Sequence, residues 1–176
     1  SAIHENNFCY IRLGREVSAA LFLDGKIYRG NDGFAGRISH MTIELNGRIC
    51  SCGNRGCLVN YVSEKALINK YNEISGNQEL PPIFGIQELV DLVKVNDPNA
   101  VRVIYEWTEY LGTGIANIVN FLNPSLVIID NPAILQIEEV ISKPLFSCLQ
   151  QKILRLLRRN NKVIFSSLGE NAVPLG

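Results

Sequence analysis

The chain has 176 residues, 47% of them hydrophobic, which suits one domain or lobe able to bury a real core. Its 17 basic and 17 acidic residues cancel, which argues against a dedicated nucleic-acid-binding surface. No apolar run approaches the roughly 18 residues of a membrane span, and no basic segment leads into an apolar stretch as in a signal peptide, so the expected location is the cytoplasm.

The first residue is Ser1 rather than Met, which reads as a piece of a longer protein. Phe8 to Leu13 and Val17 to Leu23 are apolar-rich runs, and the second leads through Asp24-Gly25 into Lys26-Ile27-Tyr28. Asp-Gly between β-prone segments signals a hairpin, because both turn positions need positive φ. Asn31 to Gly56 is rich in Gly and Asn and has no periodicity, so something must order a loop of that length. Helical spacing begins near Asn60 with Val62, Ala66, Leu67 and Tyr71, and Ser63 is the predicted N-cap. After Pro81-Pro82, residues Ile86, Leu89, Val90 and Val93 predict a short amphipathic helix ending near Asn96-Asp97-Pro98.

Ala100 to Leu122 is the longest helical pattern, with Val101, Ile104, Tyr105, Leu111, Ile115, Ile118, Val119 and Leu122 on its apolar face. Gly112 and Gly114 weaken its middle, which implies that another element packs closely there. Asn123-Pro124 stops the helix. Leu126-Val127-Ile128-Ile129 has the continuous β-branched character of a strand buried on both faces. Helices are predicted over 133–142 and 144–158, and a last strand over 162–166. Hairpin strands followed by strand–helix–strand alternation predict an α/β fold with a mixed sheet. Lys152, Arg155, Arg158, Arg159 and Lys162 form a basic cluster read as the cationic end of a helix, with Ile153, Leu154, Leu156 and Leu157 packing inward. Trp107 and the tyrosines do not interleave with basic residues as base stacking would require.

Of five cysteines, three crowd into Cys50-Ser51-Cys52-Gly53-Asn54-Arg55-Gly56-Cys57, ten residues after His40. One imidazole and three thiolates match the four-coordinate needs of structural zinc, and Gly53 and Gly56 let the chain wrap between donors. Binding energy from the metal would order the loop. The bland alternative is three thiols beside an unrelated histidine. Cys9 and Cys148 lie in apolar runs and read as ordinary buried thiols, and His4 carries no functional case.

The block His40-x9-Cys50-x-Cys52-Gly53-x2-Gly56-Cys57-Leu58 resembles the signature of the ROK family (repressors, open reading frames, kinases). Leu13-Gly14, Leu23 to Gly30, Gly33-Phe34-Ala35-Gly36, Gly114 to Pro124 and Ser167 to Ala172 agree with it in order. The resemblance implies the actin-like ATPase and sugar-kinase (ribonuclease H-like) fold. It makes residues 1–176 a single C-terminal lobe, with a zinc loop within 31–58 and Zn2+ on His40, Cys50, Cys52 and Cys57. It implies a missing N-terminal lobe and a final helix cut short at Gly176.

The departures from the family pattern concern chemistry. Family kinases carry a Thr-Gly-x-Gly-x-Gly phosphate loop where this chain reads Arg15-Glu16-Val17-Ser18-Ala19-Ala20. Side chains there obstruct backbone approach to phosphate, and Glu16 repels it. A Gly-Gly turn near the adenosine is here Asp130-Asn131. Two sugar-contacting glutamates are replaced by Arg37 and Val59, Ser39 replaces a glycine, and only His40 survives of the family's sugar contacts.

The reading that follows is the effector-sensing and dimerisation lobe of a ROK-type transcriptional repressor of carbohydrate metabolism. It is a non-enzyme that contacts DNA only through a part outside this chain. A sugar kinase lobe and a ligand-free interaction module are the alternatives. The candidate ligand-binding residues are His40 and Arg37. The Arg37 fork would grip an anionic effector such as a sugar phosphate if it faces the cleft, and otherwise would pair with Glu44 or point to solvent. The expected partners are a second copy, as a two-fold homodimer, and a sugar or sugar-phosphate effector.

Overall fold

The computed structural model describes residues 5–76, 80–159 and 161–166. His4 and the segment Ser167 to Ala172 lie outside the described residues.

Strand β1 (Phe8–Leu13) buries every second side chain, Cys9, Ile11 and Leu13, the period-two pattern of a half-buried strand. It pairs antiparallel with β2 (Val17–Leu23), and β2 with β3 (Lys26–Ile27). The Asp24-Gly25 turn has φ of 53° and 74°, as the hairpin requires. β1 also pairs in parallel with β4 (Leu126–Asp130), whose five residues are all buried, and β4 with β5 (Lys162–Ser166). The sheet order is β3-β2-β1-β4-β5, the predicted mixed sheet.

Between β3 and the helices the chain crosses the long loop, broken by a 3₁₀ turn at Ile38–His40. Helices α1 (Val59–Val62) and α2 (Glu64–Gly76) follow. Ser63 sits between them, and its hydroxyl accepts the Ala66 N–H at 3.2 Å, the expected cap. Helix α3 (Ile86–Lys94) buries Leu89, Val90 and Val93. Helix α4 (Pro98–Leu122) starts at the Asp97 cap, which accepts from Ala100, and stops at Asn123 with φ 47°. Its buried face runs through Val103, Ile104, Trp107, Leu111, Ile115, Ile118 and Val119, and the Trp107 indole donates to the Val62 carbonyl at 3.0 Å. Tyr105, predicted on this face, is 48% exposed, because the face turns toward Trp107 and Thr108.

The predicted pair of helices around Pro144 is a different pair. Helix α5 (Pro132–Leu135) is short, and α6 (Glu138–Lys152) runs through Pro144. An interior proline costs about 3 kcal/mol. Here Leu145, Cys148 and Leu149, all beyond it, are buried in the packing of α6 on α4, which offsets that cost. α6 ends at Lys152, so Arg155, Arg158 and Arg159 lie in the turns beyond it, and of the basic cluster only Lys152 belongs to the last helical turn. Ile153 is buried there, whereas Leu154 and Leu156, expected to pack inward, are exposed, Leu156 to 81%. Among the described residues no helix is long and apolar enough to cross a membrane.

The two glycines of α4 are contact points. A Cβ at Gly112 would lie 2.6 Å from Cys148 Sγ of α6, and one at Gly114 would lie 2.9 Å from Leu58 Cδ2, next to Cys57. Gly112→Val should therefore lower stability by about 1–3 kcal/mol through overpacking, measured as a denaturant midpoint shift. Thr113→Ala, on the exposed side, is the control, and equal midpoints for the two variants would disprove the close contact.

Candidate functional site

The loop 31–58 brings four donors to one point. His40 comes from the 3₁₀ turn, and Cys50, Cys52 and Cys57 from a tight excursion closed by Cys50 N–H to the Asn54 carbonyl (2.8 Å) and Gly53 N–H to the Cys50 carbonyl (2.9 Å). Isolated bridges Thr42↔Cys57 and Ile49↔Arg55 brace it. Gly56 takes φ 71° and its α-carbon abuts the Glu44 backbone, so no larger residue fits between the donors. His40 Nδ1 lies 3.7 Å from Cys50 Sγ, Cys52 Sγ lies 3.7 Å from Cys57 Sγ, and all four donor atoms fall within 4.8 Å of one another. Such a group could hold one metal ion.

The thiols differ in acidity. The Cys52 backbone N–H bonded to the Cys50 sulfur favours thiolate and lowers Cys50 to about 6, while burial, reinforced by the neighbouring sulfurs, raises Cys57 to about 12. Outside the cluster, burial raises Cys9 to about 12 and Cys148 to about 11, so both are inert as nucleophiles near neutrality.

The same histidine faces a cleft of about 370 Å³. Arg15 and Glu16 line it from the turn after β1, Arg48 and Ile49 from the loop, and Val59 and Lys65 from α1 and α2. The cleft opens at the carboxyl end of β1, where open α/β sheets bind ligands. β1 and β2 are joined by a three-residue turn, since Leu13 pairs with Val17 and Gly14 N–H bonds the Glu16 carbonyl at 3.0 Å.

At the matching end of β4, buried Asn131 uses all its hydrogen-bonding capacity. Its Oδ1 accepts from Ala133 (2.9 Å) and Ile134 (3.0 Å), and its Nδ2 donates to the Leu13 carbonyl (2.6 Å) and to Glu64 Oε1 (3.1 Å). Asp130 beside it is also buried and accepts from Tyr10 Oη at 2.6 Å; burial first, and then this bond and the Asp130 charge, raise the Tyr10 pKa.

The structure thus brings His40 and the three cysteines together. Arg37 is exposed, with its guanidinium 5.4 Å from the Phe34 ring centroid, and it is not among the residues lining the His40 cleft. Glu44, considered as its partner, meets the Tyr110 hydroxyl at 3.4 Å instead. The cations that do line the cleft, Arg15, Arg48 and Lys65, were not singled out as ligand-binding residues from sequence. The signal for Lys65 was its position two residues after the Ser63 cap, at the start of a helix.

A mixed sheet of this order, with helical crossovers and a cleft at the carboxyl end of its central strand, defines the lobe shared by sugar kinases and repressors of the actin-like ATPase fold. The chain belongs to the ROK family, whose family pattern matches residues 2–176. It is 33% identical over its whole length to a xylose repressor of Bacillus spizizenii, and it spans 44% of that relative. A solved ROK family transcriptional regulator, a homologue of the E. coli MLC protein, superposes with a TM-score of 0.82 at 26% identity, covering 94% of this chain and 43% of the other. A ROK family glucokinase from Streptomyces griseus, solved with glucose and AMPPNP, gives a TM-score of 0.85 at 21% identity over 96% of this chain and 58% of the other, a likeness of fold.

The thiol acidities make a direct prediction. After chelation at pH 7.5, iodoacetamide should label Cys50 at least tenfold faster than Cys9, Cys57 or Cys148, as peptide mapping would measure. Equal rates across all five cysteines would contradict the burial-driven difference.

Proposed function

We propose that residues 1–176 are the effector-sensing and dimerising lobe of a sugar-responsive, cytoplasmic ROK transcriptional regulator, built around one structural zinc ion and without kinase activity. The carrying observation is the turn after β1. Where kinases of the family present glycines to phosphate, this chain closes a three-residue turn and lines the cleft with Arg15 and Glu16. Glu16 opposes nucleotide phosphates by like charge. The four bonds of Asn131 fill the second nucleotide-facing turn with side chain in place of glycine. The similarity to a xylose repressor and to a ROK transcriptional regulator supports the same reading. DNA recognition belongs to a part of the parent protein outside this chain, and the lobe pairs two copies about a two-fold axis.

The donor geometry supports zinc. Tetrahedral bonds of about 2.3 Å to sulfur set two sulfurs about 3.8 Å apart, and the Cys52–Cys57 pair stands at 3.7 Å. His40, Cys50, Cys52 and Cys57 would hold the ion, which supplies folding energy to the loop, and His40 would keep its other ring nitrogen for the cleft.

Two measurements test this reading. Elemental analysis of protein purified without added metal should give about one zinc per chain, and Cys52→Ala should reduce it at least tenfold; a folded chain holding under a third of an equivalent would refute the metal assignment. In the intact parent protein, a sugar effector should weaken operator binding in a mobility-shift assay, and a coupled assay over common hexoses and amino sugars should show no ATP-dependent turnover. Protein-dependent turnover above background would overturn the regulator reading.

A further inference from the structure

Far from His40, the free edge of the sheet runs beside an open groove. β5 ends the strand order, so among the described residues no strand pairs with its outer edge. The Lys162 N–H bonds the Ser125 carbonyl at 3.0 Å, which turns the backbone groups of Lys162, Ile164 and Ser166 toward β4. By the alternation of a strand, the N–H and C=O groups of Val163 and Phe165 point outward, unpaired in the ladder.

Two cavities of about 440 and 310 Å³ lie along that edge. Both are lined by Phe146 and Leu149 of α6 and by Val163, so they form one groove between the helix and the strand. Its floor is apolar: Leu145, Leu149 and Ile153 are buried, and Phe146, common to both halves, is 64% exposed. In the same lining Asn161 Oδ1 is buried and accepts no hydrogen bond, although its Nδ2 donates to the Pro124 carbonyl at 3.0 Å.

The rim is cationic. Lys143, Arg158 and Lys162 line the groove, against Glu138 alone of opposite sign. From Val140 to Ser166 the sequence has six cations and no Asp or Glu, in a chain whose net charge is zero. Lys143 and Lys162 form no ion pair among the described residues. Arg158 spends its Nε on the Ile153 carbonyl at 2.8 Å, which holds the guanidinium at the groove with its terminal nitrogens to spare. A lysine on an edge strand deters self-pairing, and two copies of this edge would bring the same cationic rim together.

We propose that the groove binds an extended acidic segment of a partner protein, added to β5 as a further edge strand. The segment bonds the outward backbone groups of Val163 and Phe165, lays alternate apolar side chains against Phe146 and Leu149, and sets carboxylates beside Lys143, Arg158 and Lys162. Main-chain bonds supply affinity in such strand addition, and the alternate side chains supply specificity. The surface shares no residue with the His40 cleft or with the four metal donors.

Fluorescence anisotropy of the parent protein tests this with the labelled peptide Glu-Val-Glu-Phe-Glu-Val-Glu and its counterpart carrying Lys for every Glu. The acidic peptide should bind at least about tenfold more tightly than the basic one. Val163→Pro removes an outward N–H and leaves the bonds to β4 in place, so it should weaken the acidic peptide by about tenfold or more at an unchanged melting temperature. K143E/K162E, at two exposed positions, should lose the acidic peptide and gain the basic one, which decides the matter if the proline variant does not fold. Equal binding of the two peptides, an affinity for the acidic peptide that survives in K143E/K162E or in folded Val163→Pro, or silence from both peptides would each overturn the proposal. So would a dimer in sedimentation that K143E/K162E dissociates, since the edge would then belong to a second copy.

Discussion

Asn131 joins three elements that the sheet alone would leave independent. Its amide carries a bond to the end of β1, a bond to the first residue of α2 and two bonds to the first turn of α5. Each such bond contributes about 1 kcal/mol net, and a buried amide group left without a partner would cost about 1–3 kcal/mol. All four must therefore form together, which fixes α2 against the carboxyl end of the sheet. The Glu64–Gly14 backbone bond is made at the same place. The lip of the cleft, and hence where Arg15 and Lys65 stand, follows from that knot. A Gly-Gly turn could not tie it, because a glycine brings no side-chain donor or acceptor.

The opposite wall depends on a second tie. Loop 31–58 has little regular structure of its own beyond one 3₁₀ turn and two isolated bridges. It is anchored to the helices through Leu58 against Gly114 and through Tyr61, whose hydroxyl accepts the Arg48 N–H at 2.8 Å and whose ring lies 4.3 Å from that of Tyr110. The far turn, 50–57, is held by its own backbone bonds, by the bridges Thr42↔Cys57 and Ile49↔Arg55, and by Asn54 Nδ2 donating to Thr42 Oγ1 at 3.3 Å. A metal ion there would couple His40 to the turn, so that the loop and the histidine would fold as one unit.

Much of this was legible in the sequence, for identifiable reasons. β1 and β4 were readable because burial there follows period two or is continuous, and β2 because its apolar-rich run leads into Asp24-Gly25, which admits few conformations other than a hairpin turn. The donor block was readable because few roles other than a metal site crowd three cysteines into eight residues. Tyr105 was misplaced because a long helix touching several elements has a broad buried face, whose centre depends on what covers it. The helix through Pro144 was hidden because a local rule for proline yielded to packing against α4, which no window of sequence contains. The cationic cleft was hidden for the same reason: Arg15, Arg48 and Lys65 are spread over 51 positions and meet only through backbone bonds far apart in the chain.

Arg37 shows how charge in a sequence can mislead about a site. It stands where the family places a sugar-binding carboxylate, which suggested that the cleft had been inverted in charge at that position. Its guanidinium instead rests on Phe34, a cation–π contact at the surface that needs no ligand. The charge that lines the cleft comes from the turn after β1, the start of α2 and the loop 31–58, three segments whose positions are set by Asn131, by Gly14 and by the anchoring of Tyr61. Replacing carboxylates that accept sugar hydroxyls and lining the space with cations changes what is costly there. A hydroxyl at the positions of Arg37 and Val59 would find no carboxylate acceptor, while Arg15 and Lys65 stand at the cleft without an ion pair among the described residues.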